Sequence, residues 1–349
     1  MTHSGNTSLI TRIGRACINV ASAGSVVGSI AGLAGGQWWF LDLFSHFRAQ
    51  YSVTMGVIGL IYLLARRWIA AGVAAAIILL NGVLIAPLYW SSPVPAVSGV
   101  PFELLLFNVH QGNRSYDRVS EYVRDSGADV VVALEVTSEW SDRLKEALPD
   151  YRMVGESRDD AFGLVVLSRL PVLHSQVIRL SGVELPSIEV VIEKNGQKIA
   201  LLAIHAPPPI IGQLAVERDR TIAAATEWAV YWSHGNPAQR PGQSAARQLG
   251  QSVEQSVEII ADHVVVAGDM NATPWSYPMR RISDTSLLVN SIMGFGLQAS
   301  WPRQPAVLRI PIDHVLHSRT LTAVRRSVGP FLGSDHRPVR VALAPARIE

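Results

Sequence analysis

Long apolar runs fill the first ninety residues of the chain, with only short polar interruptions. Residues 68–90 carry no charge and are long enough to cross a bilayer, because about 20 apolar residues span the hydrocarbon core as a helix. Residues 51–65 and 16–35 are further uncharged runs, the second of them rich in Gly, Ala and Ser. The pattern predicts a membrane region over residues 1–90 with about three transmembrane helices.

The N-terminal run has a second interpretation. Arg12 and Arg15 precede it and Ala31–Ala34 is a plausible cleavage site, which is the arrangement of a signal peptide. Arginines concentrate in cytoplasmic loops, so the N-terminus and the turn at Arg66–Arg67 are predicted to be cytoplasmic. Whether the N-terminal run is a retained transmembrane helix or a signal peptide, residues 101–349 are predicted to lie outside the cytoplasm.

After a Pro- and Ser-containing linker over residues 91–101, the pattern changes to short apolar runs of strand length. Such runs predict strands that are buried on both faces, and Asn195 with Gly196 predicts the turn of a β-hairpin. Amphipathic periodicity predicts helices over three segments, residues 115–126, 138–148 and 217–232. Because helices cover sheets, residues 102–345 are predicted to form one layered α/β domain.

A polar segment interrupts this domain. Residues 233–258 are rich in Gln, Ser and Gly, a composition that cannot bury a core of its own. The segment is predicted to be a solvent-exposed insertion, and a lid over the substrate is the alternative.

Polar side chains stand at or near the ends of several apolar runs, where a rigid sheet can hold them for chemistry. They are Asn108, His110, Glu135, His205, Asp269, Asn271, Asp313, His314, Asp335 and His336. The chain lacks the zinc, Walker-loop and nucleophilic-serine motifs. Carboxylate and amide oxygens suit Mg²⁺ or Mn²⁺, and such an ion with nearby imidazoles fits hydrolysis of a phosphate ester or anhydride.

Composition and charge narrow these possibilities. Hydrophobic residues make up 48% of the 349 residues, as expected for a chain with a membrane part. Cys17 is the only cysteine, which excludes an intrachain disulfide. The formal net charge is +2, and the first 100 residues contain five Arg and one Asp, so the remainder carries −2. A net acidic domain disfavours a nuclease, although Arg280, Arg281, Arg325 and Arg326 could form a local basic patch.

Six motifs follow one another in the predicted domain: FNVHQGN, ALEV, AIHAP, GDMNATPW, IDHVL and GSDHRPV. In this order they resemble the endonuclease/exonuclease/phosphatase superfamily, which includes DNase I-like nucleases, inositol phosphatases and neutral sphingomyelinases. The resemblance implies a four-layer α/β sandwich, with two β-sheets flanked by helices, and a divalent cofactor, Mg²⁺ or Mn²⁺. The predicted spans and the motif GDMNATPW also resemble the membrane-anchored branch that includes VanJ-type teicoplanin-resistance proteins.

The resemblance also implies roles for individual residues. Glu135 corresponds to the principal metal ligand, with Asn108 beside it. Asp269 orients or deprotonates the attacking water, and Asn271 holds the same water or the phosphate. The chain departs from the family at Leu134, where Gln is frequent, but the metal-binding Glu is retained.

The remaining roles concern the phosphate. The resemblance implies that His336 contacts the scissile phosphate, that Asp335 completes the metal or water network, and that His205 contacts the phosphate or assists the leaving group. Neighbouring residues on an extended segment face opposite ways, so Asp335 cannot pair with His336. Asp313 is therefore predicted to orient the imidazole, and Gly333 to permit a close approach of the backbone.

Together these features predict a divalent-metal-dependent phosphohydrolase at the outer face of a membrane, acting on a lipid-linked phosphate or pyrophosphate. The predicted partners are the lipid bilayer and a phosphorylated lipid or other phosphate substrate, and no protein partner is evident. An extracytoplasmic nuclease or phosphodiesterase is the alternative, with nucleic acid as its substrate. A non-catalytic binding module is a third interpretation, which the retained set of polar groups disfavours.

Overall fold

The computed structural model describes residues 3–90, 97, 99–180, 182, 184–234, 260–285 and 287–346. Most of the predicted linker and of the predicted insertion, residues 235–258, therefore lies outside the described residues. The chain divides into two compact units. One is Met1–Pro87 with Trp275–Tyr277, and the other is Leu88–Pro274 with Pro278–Glu349.

The N-terminal unit is helical. Its helices are α1 (His3–Ala31), α2 (Trp39–Ser45), α3 (Arg48–Leu64) and α4 (Trp68–Ile85), with short 3₁₀ turns at Gly32–Ala34 and Ala86–Leu88. Within the described residues, the segments Arg12–Ala34 and Trp68–Leu88 are long and apolar enough to cross a membrane. Helices α2 and α3 meet at a bend of 55° and make a third such segment if the pair is one span.

A buried polar cluster connects three of these helices. The guanidinium of Arg48, at the start of α3, donates to Asn81 Oδ1 on α4 at 3.0 Å and to Ser29 O on α1 at 3.4 Å. Asn81 Nδ2 donates to Ser29 Oγ at 2.8 Å. Polar groups among apolar helices need such partners, so these bonds fix how the three helices pack together.

The C-terminal unit contains two six-stranded mixed sheets. The first has the order β11 (Leu321–Val328), β12 (Val339–Pro345), β1 (Phe102–Asn108), β2 (Val130–Leu134), β4 (Leu164–Ser168), β3 (Arg152–Glu156). The second has the order β5 (Val172–Arg179), β6 (Pro186–Lys194), β7 (Gln197–His205), β8 (His263–Asp269), β10 (Asp313–Ser318), β9 (Leu288–Asn290). Strand β1 is parallel to β2 and β7 to β8, and the other pairs are antiparallel.

The two sheets pack face to face over an apolar core, and helices cover their outer faces. On the first sheet lie α5 (Tyr116–Ser126) and α6 (Ser138–Ala147), and on the second α7 (Gly212–His234) and α8 (Tyr277–Thr285). This is the predicted four-layer α/β sandwich. Strands β2, β4 and β8 are buried along their whole length, as their continuous apolar runs predicted.

The strand register brings the predicted site residues to one edge of the two sheets. Asn108 pairs with Leu134 in the parallel strands β1 and β2, so Glu135 follows directly beside it. His205 pairs with Asp269 at the parallel ends of β7 and β8, and Asp269 pairs with Asp313 at the start of β10. Far from this edge, Asn195 and Gly196 have φ of 54° and 78° and form the predicted hairpin turn between β6 and β7.

Candidate active site

Three strands at this edge end in an unusual backbone conformation. His110, Glu135 and Asn271, just beyond β1, β2 and β8, have φ of 64°, 59° and 46°. They are three of the five non-glycine residues with positive φ in the described part of the chain. Side chains rarely adopt this region, and such residues concentrate at functional sites, where surrounding contacts hold them. The three strand ends therefore mark the candidate active site.

The carboxylate of Glu135 is held by the end of β1. Its Oε1 accepts a bond from Asn108 Nδ2 at 2.9 Å, and its Oε2 accepts one from the backbone N–H of Gln111 at 3.1 Å. His110 Nδ1 lies 3.2 Å from the same Oε2. Asn108 Oδ1 accepts the backbone N–H of His110 at 3.0 Å, so Asn108 orients Glu135 through its amide hydrogens. The metal-binding roles of Glu135 and Asn108 stay predictions.

A second group of polar side chains is almost fully buried. His336 Nδ1 lies 2.9 Å from Asp313 Oδ2, which is the pairing that the sequence predicted. His336 Nε2 lies 3.6 Å from Asp269 Oδ2, and Asn108 Nδ2 lies 3.5 Å from that same oxygen. The ligand atoms of Asp269, Asp313 and His336 are close enough together to hold a metal ion.

Burial and mutual contact set the protonation of this group. Burial opposes the charge of His336, but Asp313 and Asp269 outweigh it and raise its pKa to about 10. Burial likewise opposes the charge of Asp313, but His336 prevails and lowers the pKa of Asp313. Burial, followed by the nearby Asp313, raises the pKa of Asp269 to about 8. At neutral pH His336 and Asp313 thus form an imidazolium–carboxylate pair beside an unusually basic carboxyl group.

His205 and Asn271 complete the buried side. His205 Nε2 lies 3.7 Å from Asp269 Oδ2. Burial lowers the pKa of His205 to about 4, against the attraction of Glu135, so its imidazole is neutral. Asn271 donates its backbone N–H to Asp269 Oδ1 at 2.9 Å, and its amide donates to Ala206 O at 2.9 Å. Asn271 therefore fixes Asp269 beside the end of β7.

Asp335 and His336 engage different hydrogen-bond partners, but the segment that carries them is a series of bends and not the extended segment that the prediction assumed. Asp335 Oδ2 accepts the indole N–H of Trp301 at 3.0 Å, whereas Oδ1 lies 3.7 Å from His110 Nδ1. This Oδ1 is buried and accepts no hydrogen bond from any described residue. The turn before Asp335 contains Gly333 at φ 93°, where a Cβ would collide with the side chain of Asn113. The predicted need for glycine at 333 is thus confirmed.

Sequence reasoning missed several supporting residues. Nothing in the sequence around Trp301 indicated that it contacts Asp335. Ser334 Oγ donates to Asn108 O at 2.7 Å and accepts the backbone N–H of His336 at 2.9 Å, which connects β1 to the GSDHRPV turn. His314 was visible as a polar residue in an apolar run. Its Nε2 bonds Ala272 O at 2.8 Å, so it holds the loop after Asp269.

The predicted basic patch is only partly available. Arg326 is buried and donates to Ser291 Oγ at 3.1 Å and to Asp313 O at 3.3 Å. Arg325 forms an ion pair with Glu103. Arg326 therefore offers no surface for a nucleic-acid backbone, whereas the side chain of Arg325 is 65% exposed despite its ion pair.

An open cavity of about 560 Å³ lies beside His110 and Gln111, which both contact the Glu135 carboxylate. Its lining is polar and comes from the loops after β1 and β2 and before β4, namely His110, Gln111, Gly112, Arg114, Thr137, Glu139 and Asp159. This volume is within the range of small-molecule sites.

Comparisons with known proteins agree with this geometry. Residues 105–336 match the Endonuclease/Exonuclease/phosphatase family. An endonuclease/exonuclease/phosphatase from Bacteroides vulgatus has a similar structure, with a TM-score of 0.53 and 16% identity, covering 71% of this chain and 100% of that one. No curated protein sequence matches the chain.

Two further similar structures are named after individual proteins and not only after the family. D. rerio TDP2, complexed with single-strand DNA product, has a TM-score of 0.51 and 15% identity, covering 70% of this chain and 98% of that one. The mannosyl-6-phosphatase of Bacteroides thetaiotaomicron has a TM-score of 0.50 and 17% identity, covering 70% and 99%. At these identities the likeness establishes the fold, and the substrates belong to those proteins.

Proposed function

Because the chain belongs to the Endonuclease/Exonuclease/phosphatase family, whose members are metal-dependent hydrolases of phosphoric esters, we propose that it hydrolyses a lipid-linked phosphate or pyrophosphate at the outer face of a membrane. One observation carries the proposal. The same chain contains helices that are long and apolar enough to span a membrane and a domain with the fold and polar groups of a phosphohydrolase.

The chemistry follows from the buried side of the site. His336, charged and fixed by Asp313, donates a hydrogen bond to a phosphoryl oxygen and stabilises the charge that develops there. Asp269, once ionised, accepts the proton of the attacking water at its carboxylate. Because its pKa is raised to about 8, the ionised form predominates only above that pH, where it is a stronger base than an ordinary carboxylate. Neutral His205 and the amide of Asn271 flank this position and orient the phosphate.

The donor set fits a divalent cation. Glu135 and Asp335 present carboxylate oxygens, and the buried Asp335 Oδ1 has no hydrogen-bond donor in the described chain. A bound cation neutralises negative charge on the phosphoryl oxygens. We assign Glu135 as the principal ligand and Mg²⁺ or Mn²⁺ as the ion.

The membrane location rests on charge and length. The positive-inside rule puts Arg12, Arg15 and the Arg66–Arg67 turn in the cytoplasm, so residues 101–349 lie outside. Residues 91–100 extend over at most about 35 Å, because a chain reaches no more than about 3.5 Å per residue. The catalytic domain therefore stays near the lipid surface, where tethering raises its effective concentration towards lipids of the same membrane.

The proposed substrate class is a polyprenyl pyrophosphate or similar lipid phosphate. The net acidic domain and the buried position of Arg326 disfavour a polyanionic nucleic acid. Resemblance to the VanJ-type branch points to the same class by analogy. An extracytoplasmic nuclease is the second candidate, supported by the shared fold with the TDP2 structure that holds a DNA product.

Phosphate release tests the substrate. Full-length protein in mixed micelles with polyprenyl pyrophosphate and Mg²⁺ or Mn²⁺ should release phosphate, and excess chelator should stop the reaction. A phosphoinositide and plasmid DNA serve as competing substrates. Cleavage of DNA with no turnover of any lipid phosphate would reject the lipid proposal and favour the nuclease. Folded protein that turns over none of the substrates would favour a binding module.

Reporter fusions test the orientation. A reporter that is active only outside the cytoplasm should be active when fused after Glu349 and inactive when fused near Arg67. The reverse pattern would place the catalytic domain in the cytoplasm and contradict the proposed location.

A further inference from the structure

An exposed loop begins and ends beside the active site. Trp301 and Ile310 exchange two backbone hydrogen bonds and close this loop at its base. The ring centroids of Trp301 and His336 lie 6.3 Å apart, and the indole of Trp301 donates to Asp335. We call residues 301–310 the docking loop and propose that it binds the surface of a lipid bilayer that contains anionic headgroups.

The outer part of the docking loop presents apolar side chains to solvent. Residues 303–308 are all exposed, and among them Val307 and Leu308 are 75% and 43% exposed. They belong to the 3₁₀ turn Ala306–Leu308, in which the backbone N–H of Leu308 bonds Pro305 O at 3.0 Å. The backbone thus holds two adjacent apolar side chains outward, and the charged groups around the turn indicate what they contact.

Three arginines gather around one aromatic ring next to this turn. The guanidinium carbons of Arg303, Arg309 and Arg337 lie 5.9, 4.9 and 5.5 Å from the centroid of the Phe331 ring. Among the described residues, the hydrogen bonds of Arg337 go to backbone oxygens, and no carboxylate forms an ion pair with Arg303 or Arg337. Burial, followed by repulsion from Arg309, lowers the pKa of Arg337. The positive charge here is therefore available to an anionic partner.

A bilayer is within reach of the docking loop. Leu88 ends the segment Trp68–Leu88, which is long and apolar enough to cross a membrane. Its backbone oxygen accepts the N–H of Gly296 at 2.6 Å, and both residues belong to the C-terminal unit. Arg303 follows Gly296 by seven positions, which is at most about 25 Å of chain. The inference rests on the proposed function, because only a domain tethered to a membrane has a bilayer this near.

A lipid surface matches both properties of the docking loop. Apolar side chains beside basic ones bind at the boundary between headgroups and acyl chains, and anionic headgroups attract the basic ones. A free phosphate ion would contact the arginines and leave Val307 and Leu308 in water. Because the base of the loop contacts Asp335 and lies beside His336, binding of the loop to a bilayer would bring the catalytic groups next to lipid phosphates.

Spin-label accessibility tests the inference without substrate. Full-length protein with Cys17→Ser, which removes the only native cysteine, is reconstituted into vesicles of phosphatidylglycerol and phosphatidylcholine. A nitroxide attached through Val307→Cys should be more accessible to oxygen, which concentrates in lipid, than to a water-soluble nickel chelate. Arg303→Gln, or vesicles of phosphatidylcholine alone, should reduce this preference for oxygen.

Leu173 provides the matched control. Its side chain is 43% exposed, like that of Leu308, but it lies on β5. Its neighbour Val172 pairs with Ile192, near the end of the second sheet that is opposite the active site. A nitroxide attached through Leu173→Cys should be more accessible to the nickel chelate than to oxygen.

Kinetics provide a second readout. The double variant Val307→Ser with Leu308→Ser should raise the KM for polyprenyl pyrophosphate in these vesicles by roughly tenfold, because two side chains lose part of their burial in lipid. Its kcat should stay unchanged, since neither side chain contacts the catalytic groups. Leu173→Ser should change neither constant.

The outcomes separate this inference from the proposed function. A label at position 307 that is as accessible to the nickel chelate as one at position 173 would overturn the inference. Protection of position 307 from both reagents would show that protein, such as a second copy of this chain, covers the loop, and would also overturn it. Equal accessibility in the two lipid compositions would overturn the requirement for anionic headgroups. Failure of the phosphate-release assay alone would reject the proposed substrate and leave the accessibility result standing.

Discussion

The two sides of the active site differ in how the negative charge of their carboxylates is balanced. On the buried side, Asp269 and Asp313 have side chains 2% and 1% exposed. The imidazolium of His336 balances the charge of Asp313, and the raised pKa of Asp269 leaves that carboxyl group largely neutral at neutral pH. On the open side, the side chains of His110 and Asp335 are 41% and 45% exposed, and Asp335 Oδ1 has no hydrogen-bond donor among the described residues. This difference is the basis of the proposed roles, in which the balanced cluster holds the phosphate and its attacking water and the unbalanced side holds the cation.

This comparison predicts the largest loss on the buried side. His336→Ala removes the cation that faces the phosphoryl oxygen, and kcat should fall by about 10²- to 10⁴-fold, the usual effect of losing a catalytic proton-transfer or charge-stabilising group. Asp313→Asn should lower kcat in the same direction, because the imidazolium loses its partner. Steady-state phosphate release measures both variants. Mn²⁺ binding should survive in each, and a kcat within threefold of wild type would contradict this role.

Substitutions on the open side should change the metal concentration that activity requires. Glu135→Gln removes a negative ligand, and the concentration of Mn²⁺ or Mg²⁺ for half-maximal activity should rise by roughly 10- to 100-fold. A metal titration of phosphate release measures the shift. Glu139→Gln is the matched control, because Glu139 lines the open cavity beside His110, is 50% exposed and lies 3.9 Å from Arg114 Nε. Equal metal titrations for wild type and Glu135→Gln would remove Glu135 from the metal site.

A smaller effect is expected when the hydrogen bond that Trp301 donates to Asp335 is removed. Trp301→Phe deletes the N–H that donates to Asp335 Oδ2, a bond whose net value is about 1 kcal/mol. Metal affinity should weaken by about fivefold, since 1.4 kcal/mol corresponds to tenfold. Calorimetry with Mn²⁺ measures it. In an Asp335→Asn background the same substitution should change the affinity less, and an undiminished effect would show that Trp301 does not act through Asp335.

The smallest effect concerns pH and stability. The second sheet contains further buried imidazoles remote from the catalytic groups, and burial lowers the pKa of both His263 and His317. Between the unfolded pKa of about 6.5 and the lower folded value, the unfolded chain binds more protons, so stability is complete above pH 6.5 and falls on acidification. The Tm should decrease from pH 7.5 to 5.0, and less steeply in His317→Gln. An identical slope in this variant would exclude His317 as a contributor.

The sequence predicted the buried side better than the open one. The alternation that separated His336 from Asp335 assumed an extended segment, whereas residues 333–336 form bends. Asp269 and Asp313, however, end and begin apolar strands, as their sequence runs indicated. These inferences need only strand periodicity, which survives in the fold. The approach of His110 to Glu135 depends on two left-handed residues, and periodicity carries no information about them. Trp301 reaches Asp335 from a loop 34 positions away, which no local pattern records.

Element prediction failed where burial was weak. Strands β3 and β5 are partly exposed edge strands without a clear apolar run, and sequence reasoning did not identify them. Helix α7 begins at Gly212, five residues before the predicted start, because the amphipathic signal is weak in its first turn. The central strands, whose runs are continuously apolar, were found.

The contacts of Asn108 limit how substitutions in the active site can be combined. Its amide lies 2.9 Å from Glu135 Oε1 and 3.5 Å from both Asp269 Oδ2 and His336 Nε2, and its backbone oxygen accepts from Ser334. One side chain thus joins the open and the buried sides, so substitutions on the two sides should combine non-additively. Neither side can therefore be exchanged independently of the other. A loop grafted from a relative would also have to contact the side-chain amide of Asn108.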